Sequence, residues 1–278
     1  MKIYKTNTEI LLEFNRNIYA SRHTLWDSFL NQDNLYKEVK AEIAGSIVLG
    51  TIDLLKECTL QAPIQSQEVW AAGVTYMRSR NARMEESKDT GGGSFYDMVY
   101  NAVRPELFFK ATANRCVGPG EKVRIRKDST WNVPEPELTL VINNKGKIIG
   151  YTAGNDMSSR SIEGENPLYL PQAKSYDGSA AIGPCIFISA TPISPETKIS
   201  MLIKRNGLSM YEDEVTINKM KRSHSELVEF LFRECSFPHG CLLMTGTCLV
   251  PGNDFTLQSG DEITIRIDHI GELQNTVE

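Results

Sequence analysis

The stretch VPEPELTLVINNKGKIIGYTAGNDMSSR, residues 133–160, decides how this chain is read. LTLVI is a short, apolar, β-branched run. NNKG follows it, with Gly146 near the hairpin position that needs positive φ. KIIGYTAG then returns antiparallel. Residues two apart on a strand point to one face, so Glu135 and Glu137 share a face. Pro136 between them pushes Glu135 toward extended geometry. With the turn centred near Asn144 and Lys145, the glutamates face residues 152–154, and Asp156 lies just beyond. A slip of two in register keeps all three acids at one end. Carboxylates that close stay ionised together only if a cation offsets their repulsion. Two readings follow. One is a solvated strand face with an unrelated aspartate. The other is a site for a hard cation, since oxygen ligands alone suit Mg2+, Mn2+ or Ca2+ rather than Zn2+.

Outward from the hairpin, residues 69 onward carry many short strand-like runs punctuated by glycine and proline: ELFFKAT, VRIR, AIGPCIFI, KISMLIKRNG and DEITIRI. They predict a mainly β roll or sandwich. One helix is signalled where Ser223 and Glu226 fit a capping box ahead of Leu227, Val228, Phe230 and Leu231. Residues 1–62 have a helix-richer texture, and Pro63 is a joint. The expected division is a small α+β domain over 1–64 and a catalytic domain over 65–278. The run RSRNARMEESKD before GGGS reads as a solvated charged helix and a mobile loop. The segment SIEGENPLYLPQAKSYDGSAAIGP has little periodicity, but its proline, tyrosine and leucine argue for an ordered, functional loop. Lys174 sits inside it. It is either a surface lysine or, near a metal, a base with a lowered pKa.

Composition narrows the function classes. The chain has 278 residues and a formal charge of −5, with no basic block to grip nucleic acid or an anionic membrane. Its apolar runs are too short to span a bilayer, and its start lacks a signal-peptide core. The six cysteines form no C-x-x-C pair and read as reduced thiols of a cytoplasmic protein.

At PEPEL, GYTAGNDMSSR, QAKSYD followed by AIGP, and GCLLMTGT with SGDEITIRIDHIGEL, the chain resembles the fumarylacetoacetate hydrolase superfamily. These pieces stand in family order over most of residues 69–278. The resemblance implies a mixed β-sandwich roll, α+β in class and mainly β. It implies a divalent metal, usually Mg2+, on Glu135, Glu137 and Asp156. It implies 2-keto acid or 1,3-diketo substrates and a homodimer or homotetramer. The family's carbon–carbon hydrolases carry a His shortly after a tyrosine. Here AGVTYMRSRNAR places Ser79 at that position, after Tyr76. His23, His224, His239 and His269 all lie elsewhere and read as structural or exposed.

MVYNAVRPELFFKAT and VPEPEL resemble the branch containing 2-keto-3-deoxy-D-arabinonate dehydratase more closely. That resemblance makes Glu106 and Lys174 a proton-transfer pair, with Thr247 holding substrate or a water. Candidate substrate-binding residues are Tyr76, Lys110 and Arg160. Arginine suits bidentate carboxylate recognition. Alternatively, Arg160 pairs with Glu163, and Lys110 pairs with Glu106 on a strand surface. The expected reaction is metal-dependent dehydration of a 2-keto-3-deoxy sugar acid to a 2-oxo-acid semialdehyde through a metal-stabilised enolate. Residues 78–96 would form a lid, from which Arg83, Glu85 and Glu86 either reach the site or, as the favoured reading has it, lie on a solvated charged helix. A hydrolase or decarboxylase of acylpyruvates, or a non-catalytic keto-acid-binding domain, are the alternatives.

Overall fold

The computed structural model describes residues 1–86 and 93–278. Residues 1–64 open with a meander of β1 (Lys2–Lys5), β2 (Ile10–Phe14) and β3 (Asn17–Ala20). Helices α1 (Trp26–Leu30) and α2 (Leu35–Ala44) and strand β4 (Gly50–Thr51) follow. Then come β5 (Glu68–Gly73), α3 (Met77–Glu86), α4 (Gly93–Asn101), β6 (Glu106–Thr112), β7 (Cys116–Val117), β8 (Lys122–Val123) and β9 (Asn132–Val133). The acidic hairpin is β10 (Pro136–Ile142) and β11 (Ile148–Asp156), followed by β12 (Ser158–Ser159), α5 (Arg160–Glu165), α6 (Leu170–Lys174) and β13 (Ala180–Phe187). The chain ends with β14 (Lys198–Arg205), β15 (Leu208–Thr216), α7 (His224–Phe232), β16 (Cys241–Met244), β17 (Glu262–Ile267) and β18 (Gly271–Val277).

Among the described residues, one mixed sheet runs in the order β4-β3-β2-β1-β13-β11-β10-β16-β5-β6, with β7 beside β13. A second sheet has the order β15-β14-β17-β18-β8. The strands of 1–64 therefore extend the first sheet, because β1 pairs antiparallel with β13. The sheets pack through alternating residues. On β17, Ile263, Ile265 and Ile267 are buried, while Glu262 and Arg266 face solvent. They join Ile199, Met201 and Ile203 of β14 and Leu138, Leu140 and Ile142 of β10 in one core. Each such isoleucine contributes roughly 1.5–3 kcal/mol by burial.

Strand β10 is buried on both faces. Its even-numbered side feeds the core between the sheets. Its odd-numbered side carries Val141 into a second core built on Trp26, Phe29, Leu35 and Val39 of the N-terminal helices. That same odd-numbered side carries Glu137, two residues after Glu135. The site and the helical core thus share one face of one strand.

Three local expectations are corrected. VRIR supplies only the two-residue β8. The segment after Arg160 is built from α5, a 3₁₀ turn over Pro167–Tyr169 and α6, rather than an irregular loop. Residues 77–86 form α3, as the charged run suggests, but Arg83 on it is 6% exposed rather than solvated. Glu85 is exposed. The first half of the GGGS run, and with it the middle of the expected lid, lies outside the described residues. The α7 cap forms as read, with the Ser223 hydroxyl accepting from Glu226 N–H at 3.1 Å. The reciprocal half is replaced by an ion pair from Arg222 to Glu226 at 2.7 Å.

Candidate active site

The hairpin register sets the acids together. Glu137 lies opposite Gly154, within the expected window, and Asp156 N–H donates to Glu135 C=O at 2.9 Å. Carboxylate oxygens of Glu135, Glu137 and Asp156 lie within 4.8 Å of one another, and all three residues are buried. Of the two readings of E-x-E, the solvated surface is excluded by this burial.

Buried cations surround the trio. Lys174 ends α6 with no solvent exposure, and its Nζ donates to Glu135 Oε2 at 2.7 Å and Ser158 Oγ at 2.6 Å. Asp156 Oδ2 lies 3.4 Å from the same ammonium. Arg160 donates to Glu135 Oε1 at 2.7 Å. Lys110 meets Asp156 Oδ1 at 2.6 Å and donates to the carbonyls of Met157 and Lys174. The surface pairing of Lys110 with Glu106 is therefore not what forms.

A narrow cavity opens on the trio. It is lined by Ala72–Val74 at the end of β5, by Ser79 and Arg83 of α3, by Phe108, by Arg160 and Lys174, and by Gly246 and Thr247 after β16. Six of the nine expected site residues thus line one cavity: the three acids, Arg160, Lys174 and Thr247. Glu106 does not line it but stands across the β-ladder from Gly73, which does. A Cβ on Gly73 would stand 2.0 Å from Glu106 Oε2, so only glycine leaves room for that carboxylate. Lys110 stands behind Asp156, and Tyr76 lies buried beneath α3; neither borders the cavity. Ser79 Oγ donates to Tyr76 C=O at 2.8 Å and accepts from Tyr76 N–H, so its hydroxyl serves the first turn of α3.

The sequence did not single out Gly73, and it favoured a solvated helix for Arg83. A signal existed for Arg83. Tyr76, Ser79 and Arg83 recur at i, i+3 and i+7, which is one helix face, but a polar face hides from a search for apolar periodicity. Glu163, read only as a partner for Arg160, is 1% exposed and forms an ion pair with Arg83. Arg160 Nε and Lys174 Nζ both stand 3.9 Å from its carboxylate.

The electrostatics suit a cation. Burial, then the charges of Asp156 and Glu135, push the Glu137 carboxyl well above its ordinary range, despite the Gly246 N–H it accepts at 2.5 Å. No described residue forms an ion pair with Glu137. Burial also pushes Asp156 up, but Lys110 and Lys174 outweigh it and hold that carboxyl below its usual value. Glu106 is raised by burial, with Arg83 and Lys174 pulling it part of the way back. Three clustered carboxylates, one lacking a cationic partner among the described residues, are a donor set that fits a hard divalent ion. None of the four histidines borders the cavity.

Known proteins share this architecture. The chain is 50% identical over 216 residues to the probable 2-keto-3-deoxyxylonate dehydratase of Haloferax volcanii, covering 77% of this chain and 73% of that one. It is 44% identical over 248 residues to the 2-dehydro-3-deoxy-D-arabinonate dehydratase of Saccharolobus solfataricus, covering 86% and 83%. A solved 2-keto-3-deoxy-D-arabinonate dehydratase complexed with magnesium and 2,5-dioxopentanoate superposes with a TM-score of 0.84 at 35% identity, covering 100% of this chain and 99% of that one. The family model for the fumarylacetoacetate (FAA) hydrolase C-terminal region matches residues 69–278, and the chain belongs to that family.

Proposed function

We propose that the chain catalyses Mg2+-dependent removal of water from a 2-keto-3-deoxy sugar acid such as 2-keto-3-deoxy-D-arabinonate, giving a 2-oxo-acid semialdehyde. The observation that carries this reading is one buried cluster, in which Glu135, Glu137 and Asp156 share a cavity with Lys174 and adjoin Glu106. The names of the two dehydratases similar in sequence, and the magnesium complex of the structural relative, support it. Glu135, Glu137 and Asp156 would hold the metal. When bound, Mg2+ supplies Lewis-acid polarisation of a keto group. Mn2+ and Ca2+ have the same preference for oxygen, and competition titrations would rank the three.

The remaining work falls to the chain. Lys110 and Arg160 fix Asp156 and Glu135 in place through the contacts described above. Lys174 takes the proton from C3. Glu106, whose carboxyl is raised, holds a proton and delivers it to the C4 oxygen as that group leaves as water. Thr247 lines the wall beside Glu137 and positions substrate. For a pentonate, moving one proton from C5 to C3 and the enol proton to C4 completes the aldehyde. Atoms and electrons then balance, with water as the by-product and no external oxidant. Hydrolysis is disfavoured by Ser79, whose hydroxyl is tied to Tyr76 where the hydrolases place their His. The proposal extends to a cytoplasmic homodimer or homotetramer, which sedimentation would measure.

The test is a product assay. Racemic 2-keto-3-deoxypentonate and Mg2+ should give a product lighter by one water, with an aldehyde signal by NMR. Unchanged substrate, together with cleavage of acylpyruvates into two acids, would assign hydrolase activity instead.

A further inference from the structure

Four cations and five carboxylates crowd the site among the described residues: Arg83, Lys110, Arg160 and Lys174 against Glu106, Glu135, Glu137, Asp156 and Glu163. With Glu106 holding its proton and Lys174 neutral as the base, three cations face four carboxylates, a formal excess of one negative charge. A divalent ion converts it to one positive charge, and a monoanionic substrate then neutralises the site. The ledger thus selects a monoanion, and the question is which cation meets it. Lys110 is committed to Asp156, Arg160 to Glu135, and Lys174 to Glu135 and Asp156, all members of the acidic trio. Arg83 differs. Its ion-pair partner is Glu163, outside the trio, and it enters the cavity from α3 rather than from the hairpin or α5 and α6. The guanidinium also lies 5.8 Å from the centre of the Tyr96 ring of α4. A planar fork held between a carboxylate and an aromatic ring is oriented in advance, which suits bidentate recognition of a carboxylate.

We infer that Arg83 is a substrate-binding residue that recognises the carboxylate of the 2-keto acid, with Glu163 as its positioning residue. The inference rests on the keto-acid reading of the site. It assigns to α3 a share in specificity, namely selection of an acid over its neutral analogue.

Calorimetry on the Mg2+-loaded protein tests it without turnover, using pyruvate and its neutral amide as probes. Arg83→Met should weaken pyruvate by about 10–100-fold, the loss of one charge-assisted contact, while leaving pyruvamide and Mg2+ affinities unchanged. Arg83→Lys, which keeps the charge but not the fork, should fall between wild type and Arg83→Met. Unchanged pyruvate affinity in Arg83→Met would overturn the inference. So would an equal loss for pyruvamide, which would make Arg83 a packing wall. If both variants lose Mg2+ affinity, Arg83 supports the fold and the inference falls. Wild-type protein that binds Mg2+ but no pyruvate would instead sink the keto-acid reading itself.

Discussion

Lys110→Met should destabilise the protein severely, although Lys110 does not border the cavity. The residue has no solvent exposure, and its ammonium meets Asp156 Oδ1 at 2.6 Å. It also donates to the carbonyls of Met157, at 2.9 Å, and Lys174. Methionine matches the stem but supplies no donor. Removing one partner of a buried pair costs about 3–5 kcal/mol, because the other charge stays buried without compensation. Each carbonyl left without its donor adds about 1 kcal/mol. A loss of about 5–7 kcal/mol follows, against a total stability of roughly 5–15 kcal/mol. The midpoint of thermal unfolding should fall by on the order of 10 °C or more. Urea unfolding of Lys110→Met, Asp156→Asn and the double variant would measure it. The cycle should show the double variant at least about 2 kcal/mol better than the sum of the singles. A single-variant loss below about 1 kcal/mol, or strict additivity, would refute the reasoning.

Further outcomes follow from the same geometry. Gly73→Ala should lower kcat by roughly 100-fold or more by displacing Glu106, with Mg2+ affinity unchanged; unaltered kcat would show that Glu106 is not needed where it stands. In D2O, Glu106→Gln should still exchange the C3 protons of pyruvate while losing dehydration, and Lys174→Met should lose both. Exchange lost in Glu106→Gln but kept in Lys174→Met would reverse the two roles. Burial lowers the His224 pKa from 6.5 to about 4, so the unfolded chain takes a proton that the folded one refuses. His224 therefore costs nothing above pH 6.5, and its penalty grows as pH falls from 6.5 to about 4, reaching at most about 3 kcal/mol. His224→Gln should flatten the fall in stability across that window, and an unchanged slope would count against the burial argument.

The hairpin was legible because its signals are local. Alternation places Glu135 and Glu137 on one face, and the Asn-Lys-Gly turn fixes which residues of β11 meet them. Strands such as 198–205 and 262–267 announce themselves by β-branched alternation. The helices after Arg160 did not, since five- and six-residue helices hold too few turns for a periodic stripe. The misplaced cation, Arg83, shows a second limit. A charged residue in a charged run reads as solvated, and only the tertiary arrival of Glu163 from α5 makes its burial affordable. Lys110 was assigned to substrate rather than to Asp156 because its partner lies 46 residues away and is brought beside it only by folding. Gly73 was invisible for a related reason, since its need arises from the Glu106 side chain across the ladder rather than from its own backbone.

The central claim is that the hairpin acids hold the ion on which dehydration depends. The most direct measurement is a Mg2+ titration of EDTA-stripped protein, following binding by calorimetry and water loss by mass spectrometry on the same sample, for wild type and Glu137→Gln. The binding and activation midpoints should coincide in wild type. In Glu137→Gln both should shift together, by more than the roughly 10–100-fold typical of losing a supporting group. Turnover that survives EDTA, or Mg2+ affinity that Glu137→Gln leaves unchanged, would contradict the account.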